Sequence, residues 1–193
     1  MTALLKPFRQ HSAHADAARA IATFGSLPAI LAQDCDDLAL VLQDRVAAEH
    51  LTAIKTFMAQ ALRSDFHGRP IISGYAGLLA YLRVTMGGAS EEEVRVLFLD
   101  AENHVLREQV MSRGTVLSAP LNPRKIMQVA LNLGATALIL VHNHPSGTPE
   151  PSTHDILVTR RLVSTAQPLE ITVHDHLIVT RSSVTSLRAR GLI

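Results

Sequence analysis

Two imidazoles with one residue between them, His142 and His144, and an aspartate eleven residues further on, Asp155, are the groups best suited to grip a metal ion. The histidines follow an apolar run, 135–141, that has the length and composition of a buried strand. Side chains at i and i+2 of an extended chain share a side, so both rings can reach one point. Pro145 and Gly147 then force a turn, and Ser152-x-x-Asp155 stands where a helix should begin. Two neutral nitrogen donors and one carboxylate oxygen, with a fourth vertex left open, describe a tetrahedral zinc site that keeps a water. The same donor set also serves non-haem ferrous iron. Each residue alone has a plainer reading: Ser152 and Asp155 as a helix cap, His142 as a strand-end histidine. Their coincidence with a Pro/Gly turn favours the metal, and a cap would fix the aspartate in place.

The surrounding pattern supplies elements to position them. Residues 94–99 read as a strand, Asp100 to Asn103 as a turn and 104–111 as the returning strand. Asn122-Pro123 starts a helix that buries Ile126, Val129, Ala130 and Leu133 and stops at Gly134. After the histidine loop come a helix over 153–166 and a strand over 171–180. Residues 183–188 are expected to close the chain as a tail. Strands alternating with helices make residues 70–193 an α/β domain. Residues 1–66 form a separate helical module, beginning with a loose tail to about His14. Its helices are marked by Gly25 as a C-cap, starts at Ser26 and Asp34–Asp37, and the stripe Leu51, Ile54, Met58, Leu62. The polar stretch 64–70 marks the boundary.

Composition narrows the partners. A net charge of +1 argues against an obligate polyanion, which needs a concentrated basic face. The lone Cys35 excludes an internal disulfide and a cysteine metal cluster. No signal peptide is visible, and no apolar run approaches the roughly 18 residues of a membrane span. A cytoplasmic protein without a membrane partner is expected.

His142-Asn143-His144-Pro145-Ser146-Gly147, with seven residues from His144 to Ser152 and two more to Asp155, resembles the JAMM (MPN+, JAB) metalloprotease signature. The likeness is strongest to the RadC family, a branch of that superfamily. Leu97-Phe98-Leu99-Asp100 with Asn103, Gly114-Thr115, Pro123-Arg124 and Asp175 to Val179 add to it. The resemblance covers about residues 70–193. It implies a cytidine-deaminase-like α/β sandwich (a mixed sheet with helices on both sides) and hydrolysis of peptide or isopeptide bonds. It further implies zinc held by His142, His144 and Asp155, and an oxyanion or water held by Ser152. The family's upstream glutamate matches Glu93 best, as general base and then acid, with Glu108 as the second candidate.

Some features stand apart. Asn143 lies where the proteases usually carry Ser or Thr. His174 and His176 form a second His-x-His pair, expected to face one side of a strand in a core or supporting role; Asp175 points the other way. His154 is expected to face solvent. RadC-like chains often carry a DNA-binding helix-hairpin-helix in front. Here Leu42 to Val46 falls at the hairpin without a glycine, and residues 1–69 hold seven Lys/Arg against seven Asp/Glu. That balance suits a degenerate module acting as a scaffold or protein contact better than a duplex clamp. Three readings result: a zinc hydrolase with a peptide or protein substrate, a DNA-associated repair accessory, and a metal-stabilised interaction domain without turnover. An HNH nuclease is excluded, because its residues are dispersed through a ββα element.

Overall fold

Apolar side chains occupy both faces of the strand β1 (Glu92–Leu99), and a strand of that kind must be covered on both sides. In the computed structural model of the chain, which describes residues 1–7, 9, 11–114 and 121–193, it is. Thr115, one of the positions carrying the resemblance, lies outside the described residues. β1 pairs antiparallel with β2 (Val105–Gly114) and with β3 (Ala137–Asn143). β3 runs parallel to β4 (Thr172–Val179), and β5 (Val184–Ser186) closes the sheet in the order β2-β1-β3-β4-β5. The parallel pair requires a crossover, and α8 (Thr153–Ala166) supplies it. The segment expected to be a tail is thus in part an edge strand, because its backbone groups complete the β4 ladder.

Each face carries its own core. On one, Leu78, Leu82 and Met86 of α6 (Tyr75–Met86) meet Leu97, Leu99, Ile139, Val141, Leu177 and Val179. On the other, α7 (Pro123–Leu133) and α8 bring Ile126, Met127, Ala130, Leu162 and Ala166 onto Val96, Phe98, Leu138 and Leu140. Full burial of such side chains contributes about 1.5–3 kcal/mol apiece. The α/β domain is the one the residue pattern predicted, and its mixed sheet with helices on both sides is what the family resemblance implied.

The helices in front build a third core around Leu5, Ala20, Ile30, Leu38, Leu42 and Leu51. They are α1 (Thr2–Leu5), α2 (Ala13–Phe24), α3 (Leu27–Ala32), α4 (Cys35–Leu42) and α5 (Arg45–Ser64). The described residues of the loose tail expected up to His14 pack onto the helices instead. Leu5 is fully buried, and Arg9 reaches from the segment to Asp16 (2.8 Å) and Asp44 (2.9 Å). Asp16, itself buried, accepts in addition from Ser12 Oγ (2.6 Å) and Arg19. Asp34 and Asp44 cap α4 and α5, each accepting from the third residue on. Between α4 and α5, Gln43 takes the left-handed conformation (φ 53°) that glycine fills more cheaply.

The boundary stretch 64–70 is exposed except at Phe66. Phe66 is buried in the α6 core, edge-on to Tyr81 at 5.3 Å. Beyond α6, Gly88 lies so close to α3 that a Cβ there would come 2.1 Å from Ala32 Cβ. Gln33 bridges the same contact, its Nε2 donating to the carbonyls of Ala29 and Gly88 at 2.9 Å. Among the described residues, no helix is long and apolar enough to cross a membrane.

Candidate metal centre

β3 delivers the histidines. It is buried along its whole length, and His142 sits on it opposite Val94 of β1 and Ile178 of β4. His144 lies one residue past the strand but keeps the register, because its N–H donates to Val179 O at 2.9 Å. Both rings therefore leave the same face, with centroids 4.9 Å apart and planes at 89°. The turn follows at once: Gly147 N–H donates to His144 O, and Gly147 adopts φ 83°. His144 Nδ1 lies 2.9 Å from the Thr148 carbonyl, which accepts its proton and turns Nε2 inward toward Asp155.

α8 delivers the carboxylate. Ser152 Oγ accepts from Asp155 N–H (3.1 Å), Ser152 N–H donates to Asp155 Oδ2 (2.8 Å), and Ser152 Oγ donates to the same oxygen (2.6 Å). This is a capping box with aspartate as its acid, at the positive end of the helix. His142 Nδ1 stands 3.2 Å from Asp155 Oδ1, and His144 Nε2 stands 3.4 Å from Oδ2. One ligand atom from each residue falls within 4.8 Å of the others, so the three could hold a metal ion. Burial alone would push the Asp155 carboxyl up. The hydrogen bonds from His142, His144 and Ser152 outweigh it and hold the group ionised, well below the usual carboxylate range. The same bond to Asp155 raises His144, against the opposing pull of its burial.

The glutamate beside this cluster is Glu92. Its Oε2 lies 3.6 Å from His142 Nε2. Glu93 faces the other side of the sheet, where its carboxylate pairs with Arg95 and, at 2.6 Å, with Arg113 Nε. Glu108 is on that side too, accepting from Tyr81 Oη and Arg95, both at 2.7 Å. Neither of the glutamates expected as general base approaches the histidines. Strand parity is the reason: His142 pairs with Val94, so the even-numbered residues of β1 share its face. The triplet Glu91-Glu92-Glu93 hid that parity, since both faces of β1 are apolar further along. One signal was present: Arg95, two residues beyond Glu93, shares its face and partners it.

The RadC-like JAB domain family matches residues 72–192. A UPF0758 protein of Rhodobacter capsulatus is 37% identical over 178 residues, covering 92% of this chain and 83% of the relative. The chain belongs to the RadC family.

Within this RadC-family site, Asn143 acquires a physical role. It is buried, its Oδ1 accepts from Glu93 N–H at 2.6 Å, and its Nδ2 donates to Glu91 O at 2.9 Å. The side chain thereby clamps the first residues of β1 to the end of β3 and holds Glu92 between them. His174 and His176 do not face one side together as expected. A bulge in β4, where Leu138 pairs with Val173 and Ile139 with Asp175, takes His174 out of the alternation. His174 Nε2 reaches Asn103 Oδ1 in the β1–β2 turn, whereas His176 lies beneath the histidine pair, its ring stacked 6.2 Å from that of His142. Asp175 points away, accepting from Ser186 Oγ and Arg188 N–H. His154 is exposed and borders a cavity of about 40 Å³, whose lining includes Glu92, His142, Asp155 and His176.

Burial, followed by the charges of its histidine neighbours, pushes the His176 imidazole down to about 3, with Asp155 acting the other way. The folded protein keeps this ring neutral below pH 6.5, where the unfolded chain protonates it. The unfolded state then binds more protons, so the stability present above pH 6.5 is lost progressively as pH falls toward 3. Urea midpoints of chelator-treated protein should fall more steeply with acidification in the wild type than in His176→Leu. Equal slopes would contradict this. Removing the clamp with Asn143→Ala leaves two backbone groups without their partner and should lower unfolding stability by about 1–3 kcal/mol, read from the same midpoints at pH 7.

Proposed function

We propose that this RadC-family protein is a zinc-dependent hydrolase of peptide or isopeptide bonds. The observation that carries the reading is the convergence of His142, His144 and Asp155 beside Glu92, with a cavity opening on the cluster. The donor set fits zinc: two imidazoles, one of them with its Nδ1 proton held by a backbone carbonyl, and an aspartate kept ionised by its neighbours. Zinc bound there would supply Lewis acidity and bring the ionisation of water toward neutral pH.

The protein's own groups divide the remaining work. Glu92, at the entrance to β1 and only partly exposed, takes a proton from the attacking water and returns it to the leaving amine. Asn143 holds that strand end so that Glu92 does not swing away. Ser152 fixes Asp155 at rest, and its hydroxyl, at the exposed start of α8, turns to the oxyanion as charge develops there. Glu93, balanced by Arg95 and Arg113, serves the packing of the opposite face.

A peptide or protein substrate suits this site better than DNA. Asp44, in the link between α4 and α5 where a DNA-binding hairpin would stand, is committed to capping α5 and to Arg9. The balance of seven Lys/Arg against seven Asp/Glu in residues 1–69 gives a DNA-repair role little electrostatic support. The test is a peptide-library cleavage assay on zinc-loaded protein, with zinc content measured for each variant. Glu92→Gln should lower cleavage by about 10²-fold or more while zinc content is kept. Glu93→Gln should lose far less activity, with its main effect on stability. Cleavage by Glu92→Gln at the wild-type rate would overturn the assignment of the base. A wild type that holds zinc and cleaves nothing would overturn the hydrolase.

A further inference from the structure

His176 is 1% exposed, and among the described residues its Nε2 is the buried side-chain polar atom without a hydrogen-bond partner. The bonds around the ring fix which nitrogen carries the proton. Thr159, one turn after Asp155 on α8, donates its hydroxyl proton back to the Asp155 carbonyl, as helical threonines commonly do. The Thr159 oxygen is then left as acceptor for His176 Nδ1, 2.6 Å away. Nδ1 therefore bears the hydrogen and Nε2 presents a lone pair. That lone pair belongs to a residue lining the cavity of about 40 Å³ beside the histidine–aspartate cluster. Val94, Leu121, Leu140 and Val158 make its apolar wall, and Glu92 and Ser112 add polar groups to those of His142, His154 and Asp155.

A buried acceptor in such a wall needs a donor, and the donor must be small. The cavity exceeds the roughly 10–15 Å³ that one water needs, and the polar groups bordering it are enough to hold one. The neighbours that could have satisfied Nε2 cannot: His142 meets the ring face to face and Thr159 is already taken. We propose that His176 anchors a water molecule in the metal cavity through Nε2. The residue is then a positioning residue, holding water at the inner wall of the site while Thr159 and the α8 backbone hold the ring. The inference deepens the hydrolase reading by giving the site a second, protein-held water, yet its test needs no turnover.

Asparagine and glutamine separate this role from a purely structural one. His176→Asn can keep a donor near Thr159 but has nothing at the Nε2 position. His176→Gln can place an amide oxygen there. Crystal structures of the chelator-treated full chain should show a water within hydrogen-bonding distance of Nε2 in the wild type, none at that place in the Asn variant, and one restored against the Gln side chain. In solution, the ¹⁵N spectrum of the wild-type ring should show an unprotonated Nε2 with the shift of a hydrogen-bonded acceptor. A wild-type cavity without water, a water unmoved in the Asn variant, or a ring nitrogen with the shift of a free lone pair would each overturn the proposal. Should the Asn variant fail to fold, the wild-type crystal and ¹⁵N spectrum decide the question alone. Neither measurement involves peptide cleavage, so the water can stand or fall separately from the hydrolase.

Discussion

Asp155 ties the head of α8 to the end of β3, beyond the apolar packing that already joins the two. Its carboxylate accepts from Ser152 at the head of α8 and lies within 3.2–3.4 Å of two rings carried by β3. A buried carboxylate without those partners would carry a severe desolvation cost. With them it stays ionised and fixes the angle at which α8 leaves the loop. Because α8 is also the crossover between β3 and β4, the constraint that forms the site also sets the connection between two central strands. Site and fold share one set of hydrogen bonds.

β1 shows how one strand can serve two purposes. Its even-numbered face supplies Glu92 to the histidine–aspartate cluster and Val94, Val96 and Phe98 to the α7–α8 core. Its odd-numbered face carries Glu93 and Arg95 into a partly buried ionic cluster with Glu108 and Tyr81, and then Leu97 and Leu99 into the α6 core. Burial pushes the Tyr81 phenol up to about 12, and its bond to Glu108 adds to that, so it remains a donor throughout the physiological range. Asn143 locks the strand where the two faces diverge. Its amide supplies both a donor and an acceptor to the backbone, which Ser or Thr could not do with the same reach.

Much of this was legible in the residues. The His-x-His spacing, the Pro/Gly turn and Ser152-x-x-Asp155 located the cluster, and period-two and helical patterns located α7, α8 and the strands β1 to β4. What escaped was whatever depends on partners distant in the chain. Choosing between Glu92 and Glu93 needs the register of β1 on β3, and local periodicity cannot supply it when both faces are apolar. The parting of His174 from His176 needs the bulge in β4. The ordering of the first residues rests on Arg9 reaching Asp44, thirty-five positions away. β5 was hidden because three residues make too short a pattern to distinguish from a tail.

The central claim is that His142, His144 and Asp155 together hold one divalent cation. X-ray absorption at the zinc edge of the zinc-loaded full chain tests it most directly, with His144→Ala and Asp155→Asn beside it. The account predicts a four-coordinate shell of nitrogen and oxygen at about 2.0–2.1 Å with two imidazoles, losing one imidazole in His144→Ala and losing affinity in Asp155→Asn. A shell unchanged by either substitution, or a wild type that retains no zinc after dialysis, would contradict it.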